Sequence, residues 1–169
     1  IDFFQGMARH YGVFYPMQTF SRQKRVSFEE IPCFIEGSGE EEEAAIEALA
    51  SQLSHRVYRL SSEARKYLHL SAVFACNFVN HCYAISAELL EKHGIPFDVM
   101  LPLIDETAAK VHQMTPKDAQ TGPAVRYDEN VIRAQSQLLK NNPLVKDIYD
   151  RMSMNIHRMF QVQSSKFQV

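Results

Sequence analysis

Residues Leu68 to Leu90 read LHLSAVFACNFVNHCYAISAELL, and the fold turns on how this stretch is taken. It is apolar on almost every side of a helix, yet it carries His69, Asn77, Asn80 and His81. Polar groups set inside an apolar helix must find partners, so the stretch raises the question of what they meet. Ser61 is placed to cap this helix, with Glu63 in its first turn, and nothing stops it before Gly94 and Pro96. That predicts one helix of roughly 32 residues, about 48 Å long. A bilayer needs about 20 apolar residues, but two Asn, two His and charged flanks speak against a membrane span. The expectation is a core helix, shared between two subunits.

Working toward the N-terminus, Gly12 to Tyr15, Cys33 to Glu36 and Arg56 to Leu60 are short β-rich runs bounded by Pro16, Pro32, Gly37 and Gly39. Between the second and third, Ala45, Ile46, Leu49 and Leu53 fall at helical spacing, and Glu40 to Glu43 supply a favourable negative charge at the helix start. Toward the C-terminus, Val99, Leu103, Ile104, Ala108 and Val111 form the apolar stripe of a helix opened by Pro96 and ending near Met114. Thr115 to Asp118 resembles a capped turn, and Gln120 to Tyr127 holds too much Gly and Pro to be regular. Asp128 caps a further helix through Leu139, and Asn142-Pro143 opens the last, with weak periodicity from Gln161 to Val169. The fold class is α+β, mostly α: residues 1–60 hold the sheet, 61–160 a helical domain on one long central helix, and 161–169 a tail.

The chain has 169 residues, 46% hydrophobic and 22% charged, with a formal net charge of −2. Scattered Lys and Arg give no footprint for nucleic acid and no basic face for a membrane, so neither partner is expected. Cys33, Cys76 and Cys82 form no CxxC pair, and the last two are expected to behave as buried thiols in a reducing cytoplasm. Ile1 in place of Met, followed by Asp2-Phe3-Phe4, predicts a piece of a longer protein.

On a helical wheel Asn80 falls about 20° from His69, Asn77 about 80° and His81 about 120°, so the first three can share a face. A histidine flanked by amides suits a proton donor to a carbonyl, and it equally suits a satisfied histidine at a helix interface. Metal binding is not expected, because His69 and His81 diverge and no acidic ligand stands at helical spacing. In the loop after Gln120, Thr121 offers a hydroxyl, Gly122 permits close backbone approach, and Arg126 can hold a carboxylate or phosphate. The same loop reads as a plain connection whose Arg126 pairs with Asp128. Gln18 and Thr19 follow a strand and would sit at a C-terminal sheet edge, where α/β folds place ligands. No GxGxxG, P-loop, GxSxG or HExxH pattern occurs.

Three runs together carry a resemblance across roughly Gly12 to Met159: Tyr15-Pro-Met-Gln-Thr-Phe-Ser21, His69-Leu-Ser-Ala-Val-Phe-Ala-Cys-Asn77-Phe-Val-Asn80 and Gln120-Thr-Gly-Pro-Ala-Val-Arg126-Tyr-Asp128. They resemble the bacterial DUF2520 family, which joins a Rossmann-like NAD(P)-binding domain to a helical domain and is labelled an NADP oxidoreductase family. The family commonly has His-Pro where this chain has Tyr15-Pro16. The resemblance implies that residues 1–60 are the last strands of the Rossmann-like domain, whose glycine-rich phosphate loop lies upstream. It also implies NADP or NAD as cofactor of the full-length protein, with no cofactor bound by this piece alone.

More distantly, the chain is similar to 6-phosphogluconate dehydrogenase, ketopantoate reductase and pyrroline-5-carboxylate reductase, where a long helix builds a dimer and borders the active site. By that similarity the chain forms a homodimer through the long helix. His69, Asn77 and Asn80 would face a small keto or imine substrate, His69 supplying a proton, while Thr121, Gly122 and Arg126 hold an anionic group. The alternatives are a dimerisation or ligand-sensing helical module without catalysis, and a nucleotide-binding regulator.

Overall fold

The computed structural model describes residues 1–23 and 25–164, and it divides into two compact units, Ile1–Asn80 and His81–Val169. The first unit is built on three strands, β1 (Gly12–Pro16), β2 (Cys33–Gly37) and β3 (Val57–Arg59), in that order across the sheet. β1 runs antiparallel to β2, with Gly12 opposite Gly37 and Pro16 opposite Cys33, and β3 runs parallel to β2. A parallel pair needs a crossover, and helix α1 (Glu40–Ser51) provides it.

Alternation along the strands gives each face of the sheet its own partner. One face presents Gly12, Cys33, Ile35, Gly37 and Arg59 to α1, where Ile35, Cys33 and Ala50 are fully buried. The glycines at this face are steric requirements: a Cβ on Gly37 would lie 2.7 Å from Glu43 Cα and 2.8 Å from the Gly39 carbonyl. The expected stripe on α1 is offset. Ile46 and Ala50 meet the sheet side, while Ala45, Leu49 and Leu53 are exposed, and Glu43 and Glu47 pair with Arg59 at 2.8 and 2.5 Å. Ser54 closes the core. Its buried hydroxyl donates to the Ile31 carbonyl at 2.6 Å and accepts from the Arg56 N–H at 3.0 Å.

After β3, Ser61 caps α2 (Ser62–Ala72), its hydroxyl accepting from the Ala64 N–H at 3.3 Å. The helix then passes into a π-helical segment, Val73–Phe78, and resumes as α3 (Val79–Glu91). Apolar periodicity predicts one uniform α-helix here, and the structure corrects that. An i→i+5 turn takes up one extra residue, so positions beyond it rotate by about one residue's 100° relative to the plain wheel. The expected burial is also corrected, since no residue from Ser62 to Glu91 is buried. Tyr67, Leu70, Phe74 and Phe78 are 71%, 51%, 61% and 49% exposed, and Cys76 is exposed where a buried thiol was expected.

In the second unit, residues 97–100 form a 3-10 turn ahead of α4 (Leu101–Lys110), which carries Pro102 in its first turn. Gln120 to Tyr127 is more regular than its composition suggests. Pro123 opens a short helix, α5 (Pro123–Arg126), because its fixed φ and missing N–H suit a first turn, and Tyr127 ends it at φ 53°. Asp128 caps α6 (Glu129–Leu138) through the Val131 N–H at 3.2 Å, and Asn142 precedes α7 (Pro143–Ser164). α5 and α6 pack on α7, with the Tyr127 and His157 rings stacked at 4.0 Å. Helix α7 covers the start of the expected tail, and residues 165–169 lie outside the described residues. Among the described residues no helix is long and apolar enough to cross a membrane.

Candidate functional site

The site is built where α2 leaves the sheet. Glu36, on the face of β2 opposite α1, accepts from the Ser62 N–H at 3.0 Å and the Ser62 hydroxyl at 2.7 Å, and its carboxylate meets Arg65 Nη1 at 2.9 Å. A carboxylate on the first N–H groups of a helix is a favourable charge–dipole arrangement. Burial raises the Glu36 pKa, but the hydrogen bonds from Ser62 and Arg65 outweigh it and hold the carboxyl below its usual range. Arg65 also donates to the Ser62 hydroxyl at 2.9 Å and the Leu60 carbonyl at 3.3 Å, so the first turn of α2 is fixed to the strand.

With that turn fixed, His69 stands opposite β1. Tyr15, on the same sheet face as Glu36, places its hydroxyl 2.9 Å from His69 Nδ1, the rings meeting edge-on at 6.5 Å. Tyr15, Ser62, Arg65, Lys66 and His69, with Ile1, line an open cleft of about 470 Å³. Sequence reading singled out His69 but assigned Tyr15 no role. The two residues are 54 positions apart, and only the strand register brings them together. The one signal in the sequence was that Tyr15 stands where the DUF2520 pattern has His.

The other expected residues are placed differently. Asn77 is the next-to-last residue of the π-helical segment and Asn80 lies two residues past its end; both are exposed, and the extra π residue carries Asn80 from about 20° to about 80° away from His69. Gln18 spends its side chain locally, accepting from the Thr19 N–H at 2.8 Å. Gln18 and Thr19 follow the C-terminal end of β1, but antiparallel pairing sets that end beside Cys33, where β2 starts, so the ligand edge of the parallel β2–β3 pair is the opposite one. Thr121, Gly122 and Arg126 belong to the second unit. Gly122 caps α5 at φ 107°, a conformation that needs glycine, and Thr121 and Arg126 are exposed.

Of the sheet's two strand–turn–helix units, β3 into α2 has its first N–H groups taken by Glu36 and Ser61, which leaves Gly37-Ser38-Gly39 into α1 as the turn that could cradle a dinucleotide phosphate. It does not fit an anion. Glu40, Glu41, Glu42 and Glu43 fill the first turn, and the space above Gly37 is taken by the Glu43 backbone. Among the described residues no group of three or more His, Cys, Asp or Glu is placed to hold a metal ion.

The model of the family described as a domain of unknown function, DUF2520, matches residues 31–156. No curated protein matches the chain. Among solved structures, a Bacteroides fragilis protein described as a candidate NADP oxidoreductase is 58% identical, with a TM-score of 0.88 over 93% of this chain and 61% of its own. A Thermotoga maritima protein is 21% identical, with a TM-score of 0.74 over 90% of this chain and 62% of its own, a likeness of fold. The chain thus spans about three fifths of the length of the structures it matches. With three quarters of its length under the family model and a 58% identical relative on the same fold, this chain belongs to the DUF2520 family.

Proposed function

We propose that the chain is the substrate-side part of an NADP- or NAD-dependent oxidoreductase that reduces a small keto or imine compound, with His69 as proton donor. The observation that carries this reading is the Tyr15–His69 hydrogen bond in an open cleft. The 58% identical relative supplies the reaction class. Because Gly37–Glu40 disfavours an anion, the dinucleotide phosphates are assigned to residues other than these.

A neutral imidazole has one N–H and one bare nitrogen. The proton donor is therefore the imidazolium: its Nδ1–H donates to the Tyr15 hydroxyl oxygen, and its Nε2–H passes the proton to a carbonyl oxygen or imine nitrogen, leaving a neutral ring with its proton on Nδ1. Tyr15 is a positioning residue, and Asn77 and Asn80, which do not line this cleft, are given no part in it. In the full-length protein, His69→Ala is expected to lower kcat about 10²- to 10⁴-fold across a carbonyl and imine panel, read as NADPH oxidation. Tyr15→Phe should lower it about twofold to tenfold, the worth of one hydrogen bond. Unchanged turnover in His69→Ala overturns the reading.

A second reading has its own observation. The exposed row Tyr67, Leu70, Phe74 and Phe78 suits a homodimer formed through this helix, with the polar residues serving only that interface. It predicts that His69→Ala weakens dimerisation, measured by sedimentation, while ligand binding persists.

A further inference from the structure

We propose that the cleft between the end of α3 and the α6–α7 junction binds a free α-amino acid with an aliphatic side chain, its ammonium on Glu88, its carboxylate on Lys92 and Asn142, and its side chain on the apolar residues beside them. The proposal is independent of the Tyr15–His69 reading, because every residue of this cleft belongs to the second unit.

The cleft holds about 350 Å³, toward the small end of the range for ligand sites. One side is a single helical stripe, Ile85, Glu88, Leu89 and Lys92, and the other is formed by Leu139, Asn142 and Val145 where α6 gives way to α7. Leu138, also in the lining, leaves 83% of its surface in water, which an aliphatic group would cover.

The charges set this cleft apart. Glu88 and Lys92 stand four residues apart, acid first, the order that favours an ion pair. At the same spacing Glu106 and Lys110 approach to 3.8 Å, Glu129 and Arg133 to 3.7 Å, and Asp147 and Arg151 to 2.7 Å. Glu88 and Lys92 do not pair, and among the described residues neither side chain has another ion pair or hydrogen bond. Asn142 adds a donor: its side-chain oxygen accepts from the Val145 N–H at 3.4 Å, which leaves its NH₂ group for a ligand. An unpaired acid, an unpaired base and a spare amide beside an apolar lining are complementary to a zwitterion, whose two charges hang from one carbon. A ligand with a single charge leaves one of the two cleft charges unanswered.

The test titrates the chain by calorimetry with L-leucine, with 4-methylpentanoate, which lacks the ammonium, and with 3-methylbutylamine, which lacks the carboxylate. Leucine is expected to bind at millimolar concentration or below, about tenfold tighter than either analogue, and glycine about tenfold weaker than leucine. Glu88→Gln should lower leucine affinity about tenfold and leave 4-methylpentanoate no weaker, whereas Lys92→Met should lower leucine equally and leave 3-methylbutylamine no weaker. Both residues are exposed, and an unchanged circular dichroism spectrum shows the fold intact. Amide chemical-shift changes on adding leucine should fall at residues 85–93 and 138–145. No saturable leucine binding, analogues as tight as leucine, a variant that weakens leucine and its matching analogue alike, or shift changes confined to other residues overturns the proposal. N-acetyl-leucinamide carries no charge and mimics a leucine within a peptide; binding as tight as that of leucine overturns the amino-acid ligand in favour of a docked peptide.

Discussion

Replacing Glu36 by Gln tests the joint that sets His69 against Tyr15. The Glu36 carboxylate accepts two hydrogen bonds from Ser62 and meets Arg65 at 2.9 Å, and the side chains of Glu36 and Arg65 are only 16% and 14% exposed. Hydrogen bonds to a charged group are worth about 1.5–3 kcal/mol each. A glutamine keeps one oxygen for the Ser62 N–H but turns an NH₂ toward the Ser62 hydroxyl and Arg65, both of which donate, so a loss of about 2–3 kcal/mol is expected at pH 7. The pH dependence follows from the lowered folded pKa of Glu36. An unfolded glutamate titrates near about 4.3. The stabilisation is therefore complete above that value and is lost as pH falls through the lower folded value. Urea unfolding followed by circular dichroism should show a large gap between wild type and Glu36→Gln at pH 7, and a smaller one near pH 3. A gap below about 0.5 kcal/mol at pH 7, or one of the same size at both pH values, refutes the reasoning.

Two further outcomes check the packing. Gly37→Ala would push a methyl into the Glu43 and Gly39 backbone, which cannot yield as a side chain would, and should cost about 1–3 kcal/mol in thermal unfolding. A disulfide-exchange reagent should label exposed Cys76 first and half-buried Cys82 more slowly. Cys33, whose thiol pKa burial raises, should react only on unfolding; labelling of Cys33 in the folded protein would contradict its place in the core.

Much of the local architecture was legible in the sequence because it is written in local chemistry. Pro32, Gly37 and Gly39 bracket the strand that became β2, Ser61 and Asp128 cap the helices they were expected to cap, and Thr115 closes its turn on Asp118 at 2.7 Å. What was not legible depends on distant partners. The pairing of Glu43 and Glu47 with Arg59 depends on β3 lying beside α1, which hydropathy spacing does not register. The π-helical segment leaves no mark in the apolar pattern of Val73–Phe78, and a wheel that assumes 100° per residue misplaces Asn80. His69 could be picked out as an odd polar group, whereas Tyr15 looked like any strand aromatic until the sheet set it opposite.

The uncovered row on the long helix bears on how the molecule behaves in solution. Water in contact with Tyr67, Leu70, Phe74 and Phe78 makes this surface sticky, so the isolated chain should lose colloidal stability as its concentration rises. Handling it will call for dilution, low salt or a mild detergent.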